Sequence, residues 1–285
     1  MPIDKEKALA ATFAPSEGSW GQDDVILYHL GLGAGLDKPV DPKELEYTYE
    51  KNLKALPSFG VVPVFGALGT GMAGTPGIEI NFALVLHGEQ DIEIHKPIPT
   101  SAEVVSQPGI AGIYDKGKAA LIVMEVVTSE KGGDKLFTNR FSIFARGEGG
   151  FGGESGPKAG NQAPDRAPDA LAESRTLPNQ ALLYRLNGDK NPLHADPEFA
   201  KMGGFDVPIL HGLCSYGIVC KAVVDTMLDG DVGKVGRYQA RFAGVLFPGE
   251  TIVTSMWKEG EQILVAAKSK ERDAPVISNC AVTLR

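Results

Sequence analysis

From Lys118 to Val127 and from Leu136 to Ala145 the chain is dominated by Val, Ile, Leu and Phe, with polar residues breaking in singly. That texture predicts β-strands with at least one buried face. It returns near the C-terminus in VGRYQARFAGV, ETIVTSMW, QILVAA and VISNCAVTL, which predict an antiparallel meander. Before this meander the period changes. Asp196-Pro197 predicts a short helix, with Asp as N-cap and Pro at the first helical position, and Gly203-Gly204 predicts its end. A longer helix is predicted from Pro208 to about Leu228, stopped by Gly230. Its residues Ile209, Leu210, Leu213, Ile218, Val219, Ala222, Val223, Val224, Met227 and Leu228 leave little polar surface, so it must be buried. A buried helix followed by antiparallel strands predicts an α+β fold in which a sheet wraps around a helix.

One segment has no such pattern. RGEGGFGGESGPKAGNQAPDRAPDALA, residues 146–172, is rich in Gly, Pro and charge, which is linker chemistry. It separates residues 1–145 from 173–285, and these halves read as an imperfect repeat. Tyr28-His29-Leu30 corresponds to Tyr184-Arg185-Leu186, SFGVVPVFGALGTG to GFDVPILHGLCSYG, and Thr138-Asn139 to Ser278-Asn279, in the same order. Counted from the tyrosines, Gly33 stands where Asp189 stands and Lys38 where His194 stands. One active site per chain is expected, at the junction of the halves.

Composition narrows the partners. With 285 residues and 43% apolar content a large core is expected, in one domain or two. A net charge of −8 argues against nucleic acid or an anionic membrane as main partner. It leaves room for a small anionic ligand held by a local basic patch. Cys214, Cys220 and Cys280 lie in apolar settings without a CxxC and read as reduced core thiols of an intracellular protein. The opening MPIDKEKALAATFA lacks a secretory apolar run, no window is long enough for a membrane helix, and Thr283-Leu284-Arg285 is not a peroxisomal ending.

The candidate chemistry lies in YRLNGDKNPLHADPEFA, residues 184–200. Asn187-Gly188-Asp189 is a turn and Asn191-Pro192 a rigid break, so Asp189, Asn191 and His194 share one irregular segment. Singly, Asp189 reads as a turn residue, Asn191 as a cap, His194 as a core histidine and Gly212 as a helix-packing residue. Together a carboxylate and an imidazole at this spacing suit general acid/base work. A metal set of Asp189, His194 and His211 lacks regular ligand spacing on one helix or a thiolate cluster, and no metal is expected. His211 reads equally as a structural residue behind the site. The glycines of GLGAG, residues 31–35, have no βαβ context and do not read as a nucleotide loop.

YRLNGDKNPLHADPEFA followed by GFDVPILHGLCSYG resembles the signature of the R-specific enoyl-CoA hydratases, the hydratase 2 or MaoC-like dehydratase family. The likeness is greatest to the hydratase domain of the peroxisomal multifunctional enzyme type 2. VLHGEQ, GGFGG, FPGETI and MWKEG extend it over both halves. The resemblance implies two tandem hot-dog folds, the first widened for an acyl chain and the second catalytic. It implies reversible hydration of a trans-2-enoyl-CoA, medium to long in chain, to a (3R)-3-hydroxyacyl-CoA, without metal or redox cofactor. A homodimer and a peroxisomal setting follow from it too, with a cytoplasmic setting the alternative because no clear targeting signal is read. It assigns catalysis to Asp189 and His194: His194 takes the proton of water and Asp189 places the water and supplies C2, or the reverse. Asn191 would hold the water or the loop, and the Gly212 N–H would donate to the thioester oxygen. Substrate contacts carry over to His87, Gly88, Lys116, Lys190, Pro192, Leu193 and Phe242, with Lys116 a phosphate contact. Glycine-rich FGALGTGMAGTPG, residues 65–77, stands where the second half has its buried helix, so a weak helix there would leave a tunnel for the acyl chain. A hot-dog thioesterase and a non-catalytic acyl-CoA binder are the alternatives, and the intact Asp–Asn–His motif speaks against both.

Overall fold

The computed structural model describes residues 3–72, 74–80, 85–158 and 160–285. The first half runs α1 (Lys5–Leu9), β1 (Ser16–Trp20), α2 (Gln22–Gly31), α3 (Pro42–Thr48), α4 (Phe65–Met72), β2 (Val85–Ile94), β3 (Ala102–Asp115), β4 (Ala119–Glu130) and β5 (Lys135–Arg146). The second runs β6 (Ala170–Arg175), α5 (Gln180–Tyr184), α6 (Pro197–Met202), α7 (Gly212–Met227), β7 (Val235–Phe242), β8 (Thr251–Glu259), β9 (Gln262–Ser269) and β10 (Pro275–Leu284).

The strands form one antiparallel sheet in the order β1-β3-β4-β5-β2-β7-β10-β9-β8-β6. From the centre outward each half repeats one topology: β2-β5-β4-β3-β1 on one side, β7-β10-β9-β8-β6 on the other. The seam pairs β2 with β7, from Glu89 opposite Arg241 to Glu93 opposite Arg237. Alternation sets the faces. Ile122, Met124 and Val126 of β4 and Phe137, Phe141 and Ile143 of β5 point inward and are buried. They join Tyr28, Phe59, Tyr184, Tyr216 and Tyr238 in one core that spans both halves. This is the tandem hot-dog arrangement: a curved sheet around buried helices.

The central helix α7 is 16 residues long and buried on nearly every side, as its apolar sequence requires. It begins at Gly212, not at Pro208. Residues 208–211 are drawn out straight because the Leu210 N–H bonds to the Leu246 carbonyl at 2.8 Å, and His211 becomes the N-cap. The counterpart α4 has only 8 residues; the rest of the glycine-rich run includes residue 73, which lies outside the described residues. Helix α6 starts as expected, with Asp196 Oδ1 accepting from the Glu198 N–H at 2.9 Å. Helix α3 starts the same way at Asp41-Pro42.

The segment rich in Gly and Pro is a strap over the outer face of the sheet. The Asp115 carboxylate accepts the N–H groups of Gly150 at 3.0 Å and Gly152 at 2.6 Å. Lys116 Nζ donates to the Pro157 carbonyl at 3.3 Å, and Asn279 Nδ2 to the Gly160 carbonyl at 2.6 Å. Strand β6 begins at Ala170, inside the segment that composition alone marks as linker. The three cysteines are unpaired and buried, and burial pushes the Cys220 thiol up to about 12. No helix among the described residues is long and apolar enough to cross a membrane.

Candidate active site

The motif is built on a chain of local turns. Helix α5 runs into a 3-10 turn, Arg185–Asn187, which ends at Gly188 with φ +118°, a conformation that glycine adopts without strain. The reversal delivers Asp189, whose Oδ1 accepts the Asn191 N–H at 3.1 Å. Asn191 Oδ1 accepts the Leu193 N–H at 3.0 Å and so caps the short turn Pro192–His194. Asn191 therefore holds the loop, and its amide nitrogen remains as a donor.

His194 is 8% exposed. Its Nδ1 lies 2.9 Å from the Ile209 carbonyl, which can only accept. The neutral ring thus carries its proton on Nδ1 and presents a bare Nε2. Burial pulls its pKa below the ordinary imidazole value, with the Ile209 hydrogen bond and Asp189 pushing back upward and Arg185 adding to the fall. The ring is neutral near pH 7, which is the state of a base awaiting a proton.

His211 packs behind the pair. Its Nε2 donates to the Asp189 carbonyl at 3.2 Å, and its ring stacks on His194 with centroids 3.8 Å apart and planes 31° apart. Burial, and next the neighbouring His194, lower its pKa to about 3. Ligating atoms of Asp189, His194 and His211 lie within 4.8 Å of one another. The His211 Nε2, however, carries a proton bonded to the Asp189 carbonyl and is not free to ligate a metal.

The open end of α7 completes the site. Cys214 and Ser215 N–H groups are the first to bond back, both to His211 O. The Gly212 N–H precedes them and has no intrahelical carbonyl to meet, at the positive end of the helix dipole. A Cβ at Gly212 would lie 3.2 Å from the Phe242 ring. Phe242 stands edge-on to His87 at 5.0 Å, and Asp189 raises the His87 pKa against a larger burial effect that lowers it to about 4. The second half's motif, the start of α7 and the seam of the sheet therefore meet at one place. Gly88 is beside His87 at a bulge, its backbone against Phe144. Lys190 and Pro192 are exposed, and Leu193 is half-buried near Gly203.

Lys116 is elsewhere. His87, Ile143, Ile122 and Ile113 form one row across four strands, and Lys116 follows Ile113 by three residues. At ~4.8 Å per strand and ~3.3 Å per residue, Lys116 is on the order of 17 Å from His87. There it lines a cavity of about 690 Å³ between strap and outer sheet face, with Arg140, Lys158, Arg237 and Arg241. None of Asp189, His194 or Gly212 lines that cavity.

Sequence reasoning missed three neighbours of the site. Tyr184 packs on His211 with centroids 5.0 Å apart. Arg185 Nη2 donates to the Lys190 carbonyl at 3.1 Å and sets its charge beside both imidazoles. Phe65, from the first half, approaches Gly188. Tyr184 and Arg185 open the very stretch that holds the motif, which was the available signal.

A sequence profile described as the MFE-2 hydratase 2 N-terminal domain matches residues 19–147, and one described as a MaoC like domain matches residues 159–280. An enoyl-CoA hydratase of Mycobacterium tuberculosis is 48% identical over 278 residues, 97% of this chain and 97% of that protein. A peroxisomal enoyl-CoA hydratase 2 of Arabidopsis thaliana is 41% identical, covering 95% of this chain and 92% of its own. The crystal structure of a MaoC-like dehydratase from Phytophthora capsici superposes with a TM-score of 0.87 at 33% identity, over 98% of each chain. A further structure from Mycobacterium tuberculosis, described as a double hot-dog fold, superposes at 0.58 with 12% identity and bears on the fold alone.

Proposed function

The chain belongs to the hydratase 2 family of MaoC-like dehydratases, and from that premise we infer that it adds water reversibly across the double bond of a trans-2-enoyl-CoA. It is a hydro-lyase of fatty acid β-oxidation. The observation that carries the reading at the level of residues is the state of His194: proton fixed on Nδ1 by the Ile209 carbonyl, Nε2 bare, Asp189 alongside. In the hydration direction His194 Nε2 removes a proton from water as its oxygen attacks C3. Electron density moves through C2 to the thioester oxygen, where the Gly212 N–H and the α7 dipole stabilise it. Asp189 places the water and, protonated, gives its proton to C2; the proton that His194 has taken from water then passes to Asp189 and restores the pair. Because the two groups are coupled, the protons belong to the pair.

Only protons and water move, so the reaction requires neither metal nor redox cofactor, and CoA is part of the substrate. His87, Gly88 and Phe242 form the wall along which the thioester arm leaves, with Lys190, Pro192 and Leu193 on the opposite lip. Lys116 meets the phosphates at the far end of that arm. The short α4 leaves room for a medium or long acyl chain, and the product is the R alcohol. A homodimer in a peroxisomal or cytoplasmic setting completes the reading, to be checked by light scattering and by imaging a tagged chain.

The test is loss of enoyl thioester absorbance with trans-2-decenoyl-CoA, for wild type, Asp189→Ala and His194→Ala, with the product assigned by R- and S-specific dehydrogenases. Rapid loss giving only the R alcohol, abolished in both variants, is expected. Release of free CoA thiol would replace the reading with a thioesterase. Tight binding without turnover would replace it with an acyl-CoA carrier.

A further inference from the structure

We propose that His211 is a positioning residue that holds both members of the acid/base pair in register, its Nε2–H fixing the Asp189 backbone and its ring face supporting the His194 imidazole. The inference rests on the hydratase reading of Asp189 and His194 and adds what keeps them in place. Three observations carry it. The Nε2 of His211 lies 3.2 Å from the Asp189 carbonyl, so this nitrogen must carry a proton. The His194 and His211 ring centroids lie 3.8 Å apart, with the planes tilted by 31°. The remaining nitrogen, Nδ1, is buried and has no hydrogen-bond partner among the described residues. A histidine that leaves a buried acceptor unpaired has a cost with no benefit to folding alone; its other nitrogen and its ring face both serve the catalytic loop.

The internal repeat supplies an independent comparison. Val207-Pro208-Ile209-Leu210-His211 leads into α7 at Gly212, whereas the shorter Val62-Pro63-Val64 leads into α4 at Phe65. The residue just before the helix is a histidine in the half that has Asp189 and His194, and Val64 in the half that has Gly33 and Lys38. Only the half with Asp189 and His194 has a ring at this place that can donate a hydrogen bond.

The groups that face His211 are Tyr184 from α5, Arg185 from the following 3-10 turn, Asp189 from the loop and His194 from the capped turn. Arg185 and His194 both disfavour a charge on His211. The residue therefore stays a neutral donor while His194 gains and loses its proton. It also covers His194. Removing the ring would admit water, relieve the burial that lowers the His194 pKa, and raise it toward the ordinary value.

Two experiments on the full chain test this. Long-range proton–nitrogen spectra of the wild-type imidazoles, which need no substrate, should show His211 as a single neutral tautomer protonated on Nε2 from pH 9 down to pH 5. A proton on Nδ1, or titration of His211 near the ordinary imidazole value, overturns the proposal even if the chain hydrates enoyl-CoA. The second compares His211→Ala, His211→Gln and His211→Phe in hydration of trans-2-decenoyl-CoA. His211→Ala should lose about 100-fold in kcat with KM within about twofold, the size that an ångström of misplacement produces, and its acid limb should move to higher pH. His211→Gln, which keeps a donor, and His211→Phe, which keeps the ring, should each recover part of kcat, and only His211→Phe should keep the wild-type acid limb. Unchanged kcat in His211→Ala, a change confined to KM, or equal loss in all three variants overturns the proposal. An inactive wild type would sink the hydratase reading instead, and the spectra would still decide the placement of His211.

Discussion

The two halves run one strand order outward from a shared seam, yet at matching places they hold opposite chemistry. After the buried tyrosine the first half has Gly33 and an exposed Lys38, while the second has Asp189 and a buried His194. The paired asparagines of β5 and β10 diverge as well. Asn139 is buried, with Nδ2 donating to the Gly60 carbonyl and Oδ1 accepting from Gln90, both at 2.9 Å. Asn279 adopts φ +47° and turns its amide outward to the strap. The lesson is that inward-facing strand residues hold the topology and a few turn residues hold the chemistry. The half with Gly33 and Lys38 still borders the candidate site: His87 and Phe65 line it, and Gly31 lies against Tyr184 and Asn187 beneath the motif.

The sharpest way to break this contrast is to change both halves at matching places. Asp189→Asn or His194→Gln should lower kcat by about 10²–10⁴, the usual worth of a general acid or base. Lys38→Ala should leave kcat within about twofold in the same absorbance assay. A comparable loss from Lys38→Ala would mean that the first half takes part in the chemistry.

Acid should act on both halves. His29 and His87 have pKa values lowered to about 4, and His211 to about 3, chiefly by burial. The unfolded chain binds these protons near pH 6.5 and the folded chain does not, so the stability is full above pH 6.5 and is lost as pH falls toward 4. A fully buried residue contributes ~1.4 kcal/mol of loss per pH unit in that window, about 3 kcal/mol in all for His29 and less for the half-buried His87. Urea unfolding at pH 7.5 and pH 5 measures it; equal midpoints would show that the buried imidazoles titrate normally. The pH dependence of kcat/KM should have its acid limb below 6.5, because the His194 pKa is lowered.

A smaller contrast concerns the helices that follow the turns. Tyr47 of α3 donates to Asp225 of α7 at 2.5 Å, and Lys221 Nζ bridges Glu44 and Asp225 at 2.7 Å each. Met202, at the matching place in α6, is 77% exposed. Tyr47→Phe should cost about 1–2 kcal/mol, and Met202→Ala less than about 0.5, by chemical unfolding. At Lys116 the expected effect is on binding and not on stability. Lys116→Ala should raise KM for CoA thioesters about fivefold, the equivalent of ~1 kcal/mol from an exposed charge contact. It should leave truncated thioesters that lack the nucleotide unchanged.

The legibility of the chain follows the range of the forces involved. Helix α6 and strands β7 to β10 were readable because capping and alternation are local. Strand β3 was not: Pro108, Gly109 and Gly112 interrupt its pattern, and only pairing with β4, including a bulge between Ile110 and Gly112, holds it extended. Strand β1, SEGSW, is a polar edge with only Trp20 buried. The start of α7 was misplaced because Pro208 imitates a first helical residue, while a distant carbonyl, Leu246, keeps the segment straight. At the site, Asp189, Asn191 and His194 were readable since one loop carries them. The stacking of His211 on His194, and the separation of Lys116 from both, depend on how loops and strands meet in space.

The strap has one more consequence. Two identical hot-dog units that merely associated would suffer every substitution twice, once in each copy, and a change that removed one active site would remove both. Tied by residues 146–172 into one polypeptide, the units mutate independently. Covalent linkage thereby breaks the symmetry that association would impose. One unit can hold Gly33 and Lys38 where the other holds Asp189 and His194, a difference that a symmetric pair of identical chains could not carry.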